Sequence, residues 1–266
     1  MKLTRFLLCL LLVFTASSTA FAQEPQLGLT AEQKAKVGKR IWANECGGRV
    51  AGLTSWNYGE EFPSLGIGHF IWYPKGFKGP FEEGFPLLME FAQKRGAKPP
   101  QIALQPHAPW NSKAEFEGDF NAPEMKALRT WLANSVGLQT DFIIARSRAA
   151  LGKMKEVAPA GKADRIERNY GKVATTPNGV YALIDYVNFK GEGINPKERY
   201  NGSGWGLMWV LLEMKDVPAG QPAAREFASA AKRVLDRRIA NSPADRGEDR
   251  WRQGWHNRCD GYAQPF

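Results

Sequence analysis

Histidine and cysteine are scarce: three of each in 266 residues. His69, His107 and His256 lie far apart, and none sits at ligand spacing from a cysteine or another histidine, which argues against a metal centre. No cofactor is called for. Past the first residues, no stretch approaches the ~20 apolar residues that a membrane helix needs, so no membrane span is expected. Acids are in deficit, 27 against 36 Lys and Arg, for a net charge of +9. Internal repeats, heptads and low-complexity tracts are all missing. What is abundant is aromatic: 9 Trp, 7 Tyr and 15 Phe, which suit either a large core or a sugar-stacking cleft.

The chain opens with Lys2 and Arg5, an apolar run from Phe6 to Phe14 that includes Cys9, then small residues and Ala20-Phe21-Ala22. This order is that of a secretory signal peptide, residues 1–22, cleaved after Ala22. The expected mature chain, 23–266, is a single periplasmic or secreted domain, monomeric, with no nucleic-acid partner. Cleavage takes away Lys2 and Arg5 and no acid, so the charge falls by two to +7, a sign that draws a protein toward polyanions such as cell wall. Two cysteines remain, Cys46 and Cys259. An even pair in an oxidising compartment allows a disulfide closing nearly the whole domain.

Thr30 and Gln33 form a capping-box pattern that starts a helix running through Glu45, stopped by Gly47 and Gly48. Leu53 to Tyr73 changes to aromatic and β-branched residues broken by Asn57-Tyr58-Gly59 and Pro63, which predicts a small hairpin or three-stranded sheet. Residues 74–121 form a Gly- and Pro-rich insertion with one short helix near Phe85 to Lys94. The remainder predicts helices at 123–134, 140–155, 162–172, 177–189, 204–215, 222–239 and 248–260. The run Leu207 to Met214 is apolar on every side and predicts the central buried helix. The fold class is α+β, predominantly α, a small β subdomain beside a helical bundle.

Val37, Ile41 and Glu45 follow at i+4, so the carboxylate continues the apolar face of its helix at the negative end of the dipole. A carboxyl so placed is a candidate general acid. Glu60 and Glu61 are consecutive, and on a strand only one would face a cleft. That one would stabilise positive charge or hold water, and the Ser64 hydroxyl would orient the same water. Trp56 and His69 flank these residues as candidate substrate contacts, and Tyr200, Asn201 and Trp205 form a second sugar-compatible cluster, with Glu192 ahead of it.

Glu45 followed by a hairpin closing in Ser64-Leu65-Gly66-Ile67-Gly68-His69 resembles the phage-type lysozymes, whose catalytic glutamate precedes a Thr-Ile-Gly-x-Gly-His segment. Glu45-Cys46-Gly47-Gly48 is similar to the Glu-Ser-Gly-Gly start of soluble lytic transglycosylases. The resemblance to this lysozyme-like superfamily is strong over about thirty residues, and weaker at Tyr186 to Gly193 and at Trp255-His256-Asn257-Arg258. It implies Glu45 as general acid and Ser64 in the place of the threonine. It also implies a late helix packed on the first, which would bring Arg258 near Glu45 and Cys259 near Cys46. Its register sets Tyr58 where the phage enzymes carry a second carboxylate, so Glu60 or Glu61 would have to stand in.

The expected function is therefore an exported enzyme cleaving β-1,4 linkages of peptidoglycan, with cell-wall glycan as its partner. Two alternatives stand beside it: a non-catalytic wall-binding protein on the same fold, and a chitosanase- or chitinase-like hydrolase. A polycationic substrate would be repelled by a +7 protein, which ranks the chitosanase lower.

Overall fold

The computed structural model describes residues 29–79 and 82–266, and the leader expected at 1–22 lies outside them. Helix α1 (Ala31–Cys46) begins at the expected capping box: Thr30 Oγ1 accepts from Gln33 N at 3.2 Å, and Thr30 N donates to Gln33 Oε1 at 2.8 Å. Gly47 and Gly48, at φ 61° and 67°, end it in a conformation that only glycine adopts freely. A 3-10 turn at Val50–Leu53 leads into a sheet of three two-residue strands, β1 (Thr54–Ser55), β2 (Ser64–Leu65) and β3 (Phe70–Ile71). The order is β1-β2-β3, antiparallel throughout, with Ser64 opposite both Ser55 and Ile71.

Helices follow: α2 (Gly84–Lys94), α3 (Lys113–Gly118), α4 (Pro123–Asn134), α5 (Val136–Glu156), α6 (Ala163–Val173) and α7 (Pro177–Lys190). A hairpin of β4 (Arg199–Tyr200) and β5 (Ser203–Gly204) separates these from α8 (Leu207–Glu213), α9 (Gln221–Asn241) and α10 (Arg252–Tyr262). The molecule is α+β and predominantly α. No helix among the described residues is long and apolar enough to cross a membrane.

Two expectations about the helices change, and the 74–121 segment joins the core: Phe85, Leu88, Trp110 and Phe116 are buried in the main hydrophobic cluster, and Trp110 meets Trp72 edge-on at 6.2 Å. Its apolar side chains outweigh its glycines and prolines. The helix expected at 204–215 is shorter, because Asn201 and Gly202, both at positive φ, turn the chain into a hairpin first. The most enclosed helix is α7 and not α8, since every residue from Asn178 to Tyr186 is buried.

The late helix α10 packs mainly on α9 and α7, whereas α1 packs on α5 and α7. The late helix is therefore not laid mainly on the first, and the two cysteines do not pair. Cys46 and Cys259 are both buried free thiols; Cys46 faces the sheet, its Sγ 3.4 Å from the Gly66 carbonyl, while Cys259 is sealed inside α10's contacts. Arg258 goes to Asp185 and not to Glu45, donating through Nε and Nη2 at 2.7 Å each. Tyr262 donates to the same carboxylate at 2.6 Å.

Candidate functional site

The last turn of α1 carries Glu45, directly before the Cys46 that touches Gly66. Asn44 donates to the Tyr181 hydroxyl of α7, and Cys46 donates to Gly66. Residues on either side of the glutamate are thus tied to α7 and to the Ser64–His69 segment. Glu45 itself is half-buried and takes no hydrogen bond or ion pair among the described residues. Burial, and after it the neighbouring Glu45 charge, push the Cys46 thiol up to about 12.

The Gly66–His69 turn is held from behind by Gln139 of α5, which is fully buried. Its Oε1 accepts from Ile67 N at 2.9 Å, and its Nε2 donates to Leu132 O at 2.7 Å. Gly66 sits at φ 74°, where a Cβ would strike that amide oxygen. His69 also has positive φ, 45°, and its Nε2 is enclosed without a hydrogen-bond partner. A non-glycine residue in that region stores strain and marks a constrained site.

Beside this turn lies a cavity of about 300 Å³, at the low end of the size range of ligand pockets. β3, α2, α5 and α7 wall it. Phe70, Ile143, Ala150, Ile184 and Val187 supply apolar surface, and His69, Asn188 and Glu192 supply polar groups. Two ion pairs stand at its rim: Arg146 with Glu82, and Lys153 with Glu192 at 3.7 Å. Their members are partly exposed, so these pairs are weak enough to re-form on a ligand's hydroxyls.

The candidates named from sequence separate into groups. Glu45 precedes Cys46, whose thiol touches the Gly66 carbonyl just past the buried Ser64; His69 and Glu192 line the cavity, and neither Glu45 nor Ser64 does. Glu60 and Glu61 lie on no strand. Glu60 accepts from Asn57 at 3.0 Å within its own turn, and Glu61 is exposed. Tyr58, at the tip, is 97 % exposed.

Trp56 is buried, its Nε1 donating to Glu60 O at 2.7 Å and its ring against Phe116, so it has no face to offer a sugar. Tyr200, Asn201 and Trp205 form a structural cluster elsewhere. Tyr200 donates to Glu248 at 3.2 Å, Asn201 bonds Asn241, and Trp205 lies under the Arg238 guanidinium. Tyr200 and Trp205 gather on the buried Glu248 and its partner Arg238.

Sequence reasoning missed Arg146, Lys153 and Glu82, which carry no local motif and converge only through the fold. It also missed Asp185, an acid in the middle of the most buried helix, where the i, i+3, i+4 apolar pattern around it was the available signal. Compared with known proteins, the chain matches no family model, no curated protein and no solved structure.

Proposed function

We propose that this protein is an exported glycan-cleaving enzyme of lysozyme-like architecture that acts on β-1,4 linkages of bacterial peptidoglycan, with Glu45 as general acid. One observation carries the reading: Glu45 is a half-buried carboxylate at the end of α1, next to the Cys46 that touches the Gly66 carbonyl, and it forms no ion pair among the described residues. A guanidinium in contact would hold such a group ionised and unfit to donate a proton. Arg258, which the resemblance would bring there, is taken by Asp185.

The cavity's apolar floor suits the carbon faces of sugar rings, and the rim charges suit their hydroxyls. Glu45 would protonate the departing glycosidic oxygen as the anomeric carbon gains positive charge. With Glu60 turned onto Asn57 and Glu61 in solvent, neither of the two expected partners is prepositioned for water. This favours the route that needs a single acid, in which the substrate's own acetamido group assists and an anhydro-sugar forms.

The test is clearing of a purified peptidoglycan suspension by wild type and by Glu45→Gln. The variant should lose activity by about 10²–10⁴-fold while its melting temperature and sedimentation with peptidoglycan stay unchanged. Equal clearing by both forms would sink the role of Glu45; no clearing by either, with sedimentation intact, would favour a wall-binding protein. Mass spectrometry of the products separates anhydro from reducing ends.

A further inference from the structure

Three Asp, Glu, Lys or Arg side chains among the described residues are buried: Arg129, Asp185 and Glu248, at 7 %, 3 % and 1 % exposure. The two acids are matched. Asp185 has Arg258 and Tyr262, and Glu248 has Arg238 and Arg246. Arg129 has no acid at all. A largely enclosed arginine with no counter-charge of its own is poorly compensated, so it asks for an anion from outside.

The guanidinium is already fixed. It lies over the Phe120 ring with Cζ 3.9 Å from the centroid, and its Nη2 donates to the Phe120 carbonyl. Nε and Nη1 make no hydrogen bond, yet neither is sealed from solvent. Arg129 also lines a shallow, open pocket of about 300 Å³ between α4, the Phe120–Asn121 turn and the 3-10 turn at Val50–Leu53. Lys126, one turn earlier on α4, lines the same cavity and forms no ion pair, and Asn121 and Thr130 add an amide and a hydroxyl. No carboxylate lines it. A planar fork clamped on an aromatic face, with a second cation beside it, is pre-organised for a carboxylate or phosphate group.

We infer that the Arg129–Lys126 cavity is a binding site for a small oxyanion, a carboxylate or phosphate group, separate from the Glu45 site. The inference does not depend on what Glu45 does. Two sources present this chemistry: a free inorganic anion, and an acid carried by a sugar of the glycan.

Titration calorimetry and thermal melting with sodium phosphate, sodium acetate and sodium glucuronate, against sodium chloride at matched ionic strength, test it. Wild type should bind and melt a few degrees higher, as a ligand specific to the native state requires. Lys126→Ala, at an exposed position, should keep the fold and weaken binding about fivefold. Arg129→Met should abolish binding, and without anion it should melt no lower than wild type, since it removes an uncompensated charge. A glucuronate preference of about tenfold or more over acetate and phosphate marks a sugar-borne acid; equal binding marks the free anion; either supports the site. No response beyond chloride, or an undiminished response in Lys126→Ala, overturns it.

Discussion

Lys190, the last residue of α7, is half-buried with its Nζ 3.4 Å from the Trp255 ring centroid and 4.2 Å from that of Phe189. Arg238 of α9 and Arg258 of α10 face it as cations, with Glu248 and Cys259 acting in the opposite sense. Burial first, then the Arg238 charge, hold its ammonium down at about 7 from an ordinary 10.5. The unfolded chain therefore binds a proton that the folded chain does not between about pH 7 and pH 10.5. Folding is penalised fully below about pH 7, and the penalty fades as pH rises toward 10.5. Lys190→Met should raise the melting temperature most at pH 6–7 and hardly at all near pH 10, which melts across that range will show. The aromatic rings offset part of the penalty through cation–π attraction and reduce the gain. Nothing local in the sequence marks Lys190 or Arg129: each is one basic residue among 36, and its character comes from neighbours distant along the chain.

Among the elements, α1 is the one that delivers Glu45, and its seat is close. A Cβ on Gly38 would collide with Thr140 Oγ1 and come within 3.0 Å of Val136 Cγ1. Gly38→Ala should cost about 1–3 kcal/mol by overpacking. Adding Thr140→Ala should recover much of that in a double-mutant cycle followed by urea unfolding, because the atom in the way is gone. The capping box and the Gly47-Gly48 stop are local chemistry, so both ends of α1 were legible from sequence. The short sheet was legible too, from its aromatic and β-branched pattern and its turn residues. The β4–β5 hairpin was signalled by Asn201-Gly202, but the apolar run behind it dominated the reading. The partners of α10 were not legible: an amphipathic stripe says that a helix packs, and leaves open against what. Cys259 was misplaced with it.

Across the whole molecule, two buried thiols stand in for the crosslink that cysteine number and compartment suggested. Burial holds both near 12, with Glu45 adding to the effect at Cys46 and Asp260 at Cys259, so neither supplies thiolate for reaction in the native state. Reductant should leave the melting temperature unchanged, and iodoacetamide should label both residues only as fast as the chain unfolds; a faster reaction at either would reveal local opening. The acid at a helix end and the sheet beside it were legible because they are contiguous in sequence. The cavity was not, because its walls come from β3, α2, α5 and α7.

Gln139 gives this dispersal an order in time. Three strands of two residues each cannot stand alone, and the turn that closes them takes its backbone bond from a side chain 72 residues further on. The Gly66–His69 turn therefore cannot reach its final shape until the chain has been made as far as α5 and that helix has docked. A fragment ending before residue 139 would carry every residue of the Glu45–His69 motif and still lack the site.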